Sequence, residues 1–199
     1  MTFPMDYNNH PSAANWLGTP LENPKNVSYE EGIYVGYRYF NTFGIKPSYE
    51  FGYGKSYTDF KFSKVSLSSK TFNKAITVSV TITNTGKVAG KEVVQLYLTA
   101  PAVKTDKPES ELKGFAKTKL LQPGESQVLT VTLLPKDLGS FVEGQDAWVA
   151  EAGTYTVKIG SSSLDIKATE TFELTSERII EQVHNTFKAD IDLRVLRSN

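Results

Sequence analysis

The run Ile76-Thr-Val-Ser-Val-Thr-Ile-Thr83 alternates apolar and hydroxyl-bearing side chains without a break. Successive side chains of a β-strand point to opposite faces, so the pattern predicts a half-buried strand. Ile76, Val78, Val80 and Ile82 form its buried face, and Thr77, Ser79, Thr81 and Thr83 its wet one. Asn84-Thr-Gly86 then supplies turn chemistry. A chain built around such a strand must find a second apolar layer to cover it.

The rest of the sequence provides that layer. Phe60 to Leu67, Glu92 to Thr99, Glu111 to Leu121, Gln127 to Leu134, Thr154 to Gly160 and Leu164 to Leu174 all read as strands. Breaks with a physical mechanism separate the candidate pairs: Pro101, Gln122-Pro-Gly124 and Glu151-Ala-Gly153. About seven short strands with turns between them predict an all-β fold, an immunoglobulin or fibronectin type III-like β-sandwich.

The flanks differ. Met1 to Ser28 carries five Asn and four Pro with little periodicity, which predicts irregular chain packed on something else. Tyr29 to Tyr57 holds seven of the ten tyrosines. Within it, Gly32 to Phe40 has the aromatic and β-branched density of a strand, and Pro47 to Gly54 reads as a turn-rich connector. After the sandwich, Ile179, Ile180, Val183 and Phe187 fall at helical spacing, so Ser176 to Lys188 is expected to form a short helix capped by Thr175 or Ser176. The expected division is 1–57 as an irregular aromatic segment, 58–175 as the sandwich, and 176–199 as a tail.

Composition narrows the function classes. Lys plus Arg equals Asp plus Glu at 22 each, which leaves no overall field to hold nucleic acid or an anionic membrane surface. Cys is absent, which removes disulfides, thiolate metal sites and a cysteine nucleophile. No apolar run approaches the ~20 residues of a spanning helix, and Met1 to His10 lacks the pattern of a signal peptide.

The catalytic candidates are sparse. A glycosidase needs two carboxyl groups about 5 to 9.5 Å apart. Glu30 with Glu31, and Glu109 with Glu111, are the closest acid pairs, and both read as solvated surface. His10 and His184 have no metal-ligand spacing around them, no cofactor is expected, and Gly160-Ser-Ser-Ser163 lacks a nucleophile elbow. The flanking aromatics of Gly52-Tyr-Gly54 leave little room for a phosphate. The aromatic block supports two readings, interdomain packing or a sugar platform, through Tyr34, Tyr37, Tyr39, Phe40, Phe51, Tyr53 and Tyr57.

Two stretches of this block carry a resemblance. Tyr29-Glu-Glu-Gly-Ile-Tyr-Val-Gly-Tyr-Arg-Tyr-Phe-Asn41 and Pro47-Ser-Tyr-Glu-Phe-Gly-Tyr-Gly-Lys-Ser-Tyr-Thr58 resemble the end of the second catalytic domain of family 3 glycoside hydrolases. Glu92-Val-Val-Gln-Leu-Tyr97, Glu111-Leu-Lys-Gly-Phe115 and Leu121-Gln-Pro-Gly-Glu125 are similar to the fibronectin type III-like domain that follows it. Glu50 and Lys55 depart from the family pattern, which more often has Pro and an aliphatic residue there. The resemblance implies a parent activity, retaining hydrolysis of β-linked glucosides. It also implies that the nucleophile Asp and the acid/base Glu lie in regions this sequence does not contain, so no residue here is assigned a catalytic role.

On that resemblance residues 1–57 are expected to be what is left of the end of the α/β catalytic-region domain plus a linker, and the chain is expected to be an accessory part of a β-glucosidase, as a truncated product, one part of a split enzyme or an expressed fragment. Its expected partners are the catalytic barrel and α/β domains, or a second copy of itself, and its expected location is the periplasm or the cell exterior. Two rivals stay open: an independent carbohydrate-binding module that takes an oligosaccharide, and an immunoglobulin-type protein-interaction domain.

Overall fold

In the computed structural model, which describes residues 1–18, 20, 22–184, 186 and 195–198, ten strands carry most of the regular structure. In chain order they are β1 (Phe60–Leu67), β2 (Ile76–Asn84), β3 (Val93–Thr99), β4 (Glu111–Lys117), β5 (Ser126–Leu133), β6 (Ser140–Val142), β7 (Ala147–Ala150), β8 (Gly153–Gly160), β9 (Ile166–Leu174) and β10 (Arg178–Gln182). One sheet has the order β1-β2-β5 and the facing sheet β4-β3-β8-β9, all antiparallel. These seven strands are the sandwich that the alternating pattern predicts.

Its core follows from strand parity. Ile76, Val78, Val80 and Ile82 of β2 face Val94, Leu96 and Leu98 of β3 and Tyr155, Val157 and Ile159 of β8 across one apolar layer, joined by Leu129, Leu133 and Phe172. In β1 the inward residues change parity, from Phe60 and Phe62 to Val65 and Leu67. A bulge between Ser63 and Ser66 absorbs the extra residue, with Lys64 at a φ of 50°. Tyr155 donates its hydroxyl to the Glu151 carbonyl four residues upstream at 2.9 Å, the tyrosine-corner contact of such sandwiches. At one edge the sheets close tightly, because a side chain at Gly114 of β4 would lie 2.5 Å from Val131 of β5.

Two buried polar knots hold the loops. Asn84 accepts from the Thr58 hydroxyl at 2.8 Å and the Gly86 amide at 3.0 Å, and donates to the carbonyls of Val88 at 2.8 Å and Leu121 at 2.9 Å. The Glu151 carboxylate accepts from the amides of Val103, Lys104 and Thr105 at 3.0, 3.0 and 3.2 Å and pairs with Lys107 at 2.9 Å. Both of these side chains are almost wholly buried, at 3% exposure for Lys107 and 5% for Glu151. The β3–β4 loop is thereby pinned to the start of β8.

Two expected elements take other forms. The tail expected to be a helix places β10 against β7, in a small sheet ordered β10-β7-β6. A strand lets the adjacent Ile179 and Ile180 point to opposite sides, so Ile180 packs on the core while Ile179 stays exposed, and it pairs an otherwise open edge of β7. The end of the expected helix, at 185 and 187–188, lies outside the described residues. The strand expected over Gly32 to Phe40 is instead a turn followed by a short helix, α1 (Tyr37–Thr42). Gly32 and Gly36 adopt φ of 55° and 58°, which breaks an extended run. Beyond them, Phe40 is buried and Tyr39 meets Phe43 at 5.0 Å, one helical turn on.

Candidate functional site

Strand β3 explains how the aromatic segment is held. Its middle five residues are all buried, although only Val94, Leu96 and Leu98 belong to the core. Gln95 and Tyr97 point to the other face of the sheet, and α1 with the Phe51 turn covers them. The Tyr37 ring lies 5.2 Å from Phe51 and meets Tyr97 edge-on at 5.6 Å. Its hydroxyl accepts the Leu112 amide of β4 at 2.8 Å. Tyr97 donates its hydroxyl to Gln95 Oε1, and Gln95 Nε2 donates to the Ser161 carbonyl at 2.9 Å. Burial pushes the phenols of Tyr37 and Tyr97 above their ordinary range, so both stay neutral.

Polar contacts frame this apolar patch. Asn41 donates to the Ser163 carbonyl at 3.1 Å, Thr42 Oγ1 accepts the Glu109 amide at 2.9 Å, and the Ser163 amide donates to the Phe51 carbonyl at 2.9 Å. Arg38 pairs with Glu111 at 3.4 Å, Glu111 also with Lys113 at 3.0 Å, and Glu109 with Lys158. The expectation that Glu109 and Glu111 are plain solvated surface is therefore corrected. They sit at the end of the loop that Glu151 pins, and they help clamp α1 to the sheet.

Beside the junction runs an open groove of about 670 Å³. The turn from Glu50 to Ser56 forms one side, with Tyr53 half exposed and its ring 5.0 Å from that of Tyr49. The entry to β3 and the β8–β9 turn form the other, through Lys91, Glu92, Asp165 and Lys167. Gln95 lies at its base. A side chain at Gly52, which has a φ of 88°, would sit 2.3 Å from Gln95 Nε2, so only glycine brings this turn so close to the sheet.

The groove's carboxylates differ in character. Glu50 accepts from the Ser162 hydroxyl at 2.8 Å. Burial works against the Asp165 charge, but Lys167 at 2.7 Å and Ser161 at 2.5 Å outweigh it and hold the carboxyl below its ordinary range. Glu92 is half buried, and desolvation raises its carboxyl above the ordinary range. The groove thus holds one raised carboxyl, Glu92, beside two that are engaged by neighbouring side chains, Glu50 and Asp165. Among the described residues no group of three or more His, Cys, Asp or Glu could hold a metal ion.

The seven aromatic candidates divide three ways. Tyr34 and Phe40 are buried within the segment, Tyr34 with its ring 5.2 Å from Phe43, and Tyr39 packs between Phe40 and Phe43. Tyr37 and Phe51 make the junction. Tyr53 lines the groove and Tyr57 is fully exposed, so these two keep a face for another molecule. Glu92, Asp165 and Lys167 were not among the sequence candidates, and nothing in their local spacing marks them.

Comparison with known proteins agrees with this architecture. A model of the fibronectin type III-like domain matches residues 92–163, from the entry of β3 to the turn after β8. Beta-glucosidase A of Butyrivibrio fibrisolvens is 44% identical over 185 residues, covering 82% of this chain and 22% of that enzyme. An exo-α-(1→6)-L-arabinopyranosidase of Bifidobacterium breve is 38% identical over 176 residues, covering 88% of this chain and 22% of that enzyme. Among solved structures, β-glucosidase 3B of Thermotoga neapolitana in complex with α-D-glucose superposes with a TM-score of 0.82 at 50% identity, over 89% of this chain and 24% of that one. The chain thus spans less than a quarter of the length of these relatives, and the similarity reaches well beyond the fibronectin type III-like match. The chain belongs to glycoside hydrolase family 3, as the C-terminal region of its β-glucosidase-type members that includes the fibronectin type III-like domain.

Proposed function

We propose that this chain is a structural, accessory part of a retaining β-glucosidase-type hydrolase, and that its aromatic segment is the face on which the catalytic part of such an enzyme docks. One observation carries the reading. Among the described residues, thirteen of the twenty-three exposed large apolar side chains lie in the first 57 positions, while the inner side of the same segment is bonded to the sandwich. A segment held rigidly on one side and apolar on the other fits an interface better than it fits a free surface. The division into 1–57 as docking segment and 58–175 as scaffold belongs to this proposal, as does a β-glucoside as the substrate of the whole enzyme. The relatives carry different activities, a β-glucosidase and an arabinopyranosidase.

The test is hydrolysis of a chromogenic aryl β-glucoside by the purified chain, alone and mixed with a separately expressed β-glucosidase 3B that lacks the matching region. We expect silence from the chain alone and increased turnover on mixing. Turnover by the chain alone that survives repurification would overturn the accessory reading, and a mixture no more active than the truncated enzyme would overturn the docking.

A further inference from the structure

We infer that the groove between the Glu50–Ser56 turn and the β8–β9 turn binds a neutral oligosaccharide. Its size, about 670 Å³, lies inside the range of roughly 300 to 1,000 Å³ typical of small-molecule clefts. The charges on its walls nearly cancel, with Glu50, Asp59, Glu92 and Asp165 against Lys55, Lys91 and Lys167. A phosphate-bearing or strongly cationic ligand finds no net field there. A polyhydroxylated neutral molecule finds acceptors and donors side by side, together with the half-exposed ring of Tyr53 on which an apolar sugar face can lie.

Glu92 offers the groove a free acceptor. Its Oε1 accepts the Val93 amide at 2.7 Å, and its second oxygen makes no hydrogen bond among the described residues. None of the ion pairs among those residues includes it. Glu151 is the contrasting case, a buried carboxylate saturated by three amides and a lysine. A half-buried carboxylate with unused acceptor capacity at the wall of a cleft is what a pair of vicinal hydroxyls can satisfy. The base of the groove is already ordered, since both ends of the Gln95 amide are committed, so little conformational freedom is lost on binding.

The experiment is NMR titration of the purified chain, without any catalytic part, with cellotetraose, laminaritetraose and maltotetraose. We expect amide signals of Tyr53, Glu92 and Ser161 to move with at least one of the three. Tyr53→Ala and Glu92→Gln should each weaken that binding about tenfold or more while the amide signals of β2 stay at their native positions. No movement up to about 10 mM of all three sugars, or movement unchanged in both variants, would overturn the inference. Either failure leaves the accessory reading standing, because no partner enters the measurement.

Discussion

The sandwich and the segment before it obey opposite rules within one chain. Between Phe60 and Leu174 most apolar side chains point inward in step with the alternation of their strands, which shifts at bulges such as that in β1, and the loops are tied down by buried knots at Asn84 and Glu151. In the first 57 residues regular structure is scarce, and many large apolar groups face out, among them Trp16, Tyr29 and Tyr57 at 59%, 80% and 102% exposure. The sandwich contains its own reason to fold, since two amphipathic sheets bury each other. The segment has no second layer of its own and borrows one, the outer face of β3.

That contrast can be broken most forcefully at Glu151. Replacing it with alanine leaves the Lys107 ammonium and three loop amides buried without their acceptor, and stability should fall by about 3 to 5 kcal/mol. The same site sets a pH signature. Burial opposes the Glu151 charge, but Lys107 and the amides of Lys104 and Val103 outweigh it, so the folded carboxyl lies below its ordinary range. A depressed folded value makes this contribution full above the unfolded pKa of ~4.3, and it is lost as the pH falls through the lower folded value. Urea denaturation of the native chain and of Glu151→Ala across that acid range should give curves that converge as the pH drops. Curves that stay parallel would mean the ion pair does not tie the loop.

A smaller effect separates the two regions. Phe51→Ala removes a half-buried ring from the face of Tyr37 and should cost about 2 kcal/mol at the junction. Hydrogen exchange should quicken at α1, while β2 amides keep their protection. Equal loss of protection in β2 would show that segment and sandwich unfold as one unit.

The smallest expected effect on stability is at Tyr57, where substitution by serine touches no packed surface and should change stability by less than about 0.5 kcal/mol. The same change should weaken restoration of activity in the mixing experiment. A Tyr57→Ser chain that restores turnover as well as the native one would remove this residue from the docking face.

Much of the sandwich was legible because its signal is local. The period of β2 and the Pro and Gly breaks act within a few residues, and the observed strands follow them with small shifts at their ends. The errors fall where local signals were ambiguous. Ile179 and Ile180 suit a helix face or two sides of a strand, and the unpaired edge of β7 decided between them. Tyr37 and Tyr39 have strand propensity, but Gly32 and Gly36 turn the chain and the buried faces of Tyr34 and Phe40 settle it as turn and helix. The short strands β6 and β7 carry too few residues to show a period.

By itself the sequence determined the class of fold and the family, because alternation, turn residues and the motif from Tyr29 to Thr58 are read along the chain. It also determined that the aromatic block matters, without showing which of its rings face inward. Only the tertiary structure decided that β3 is covered on both faces, that Tyr37 and Phe51 are spent on that cover, and that Glu92 and Tyr53 share a groove. Those relations join residues about 40 positions or more apart, and the energy that fixes them comes from burying one surface against another, which no local pattern encodes.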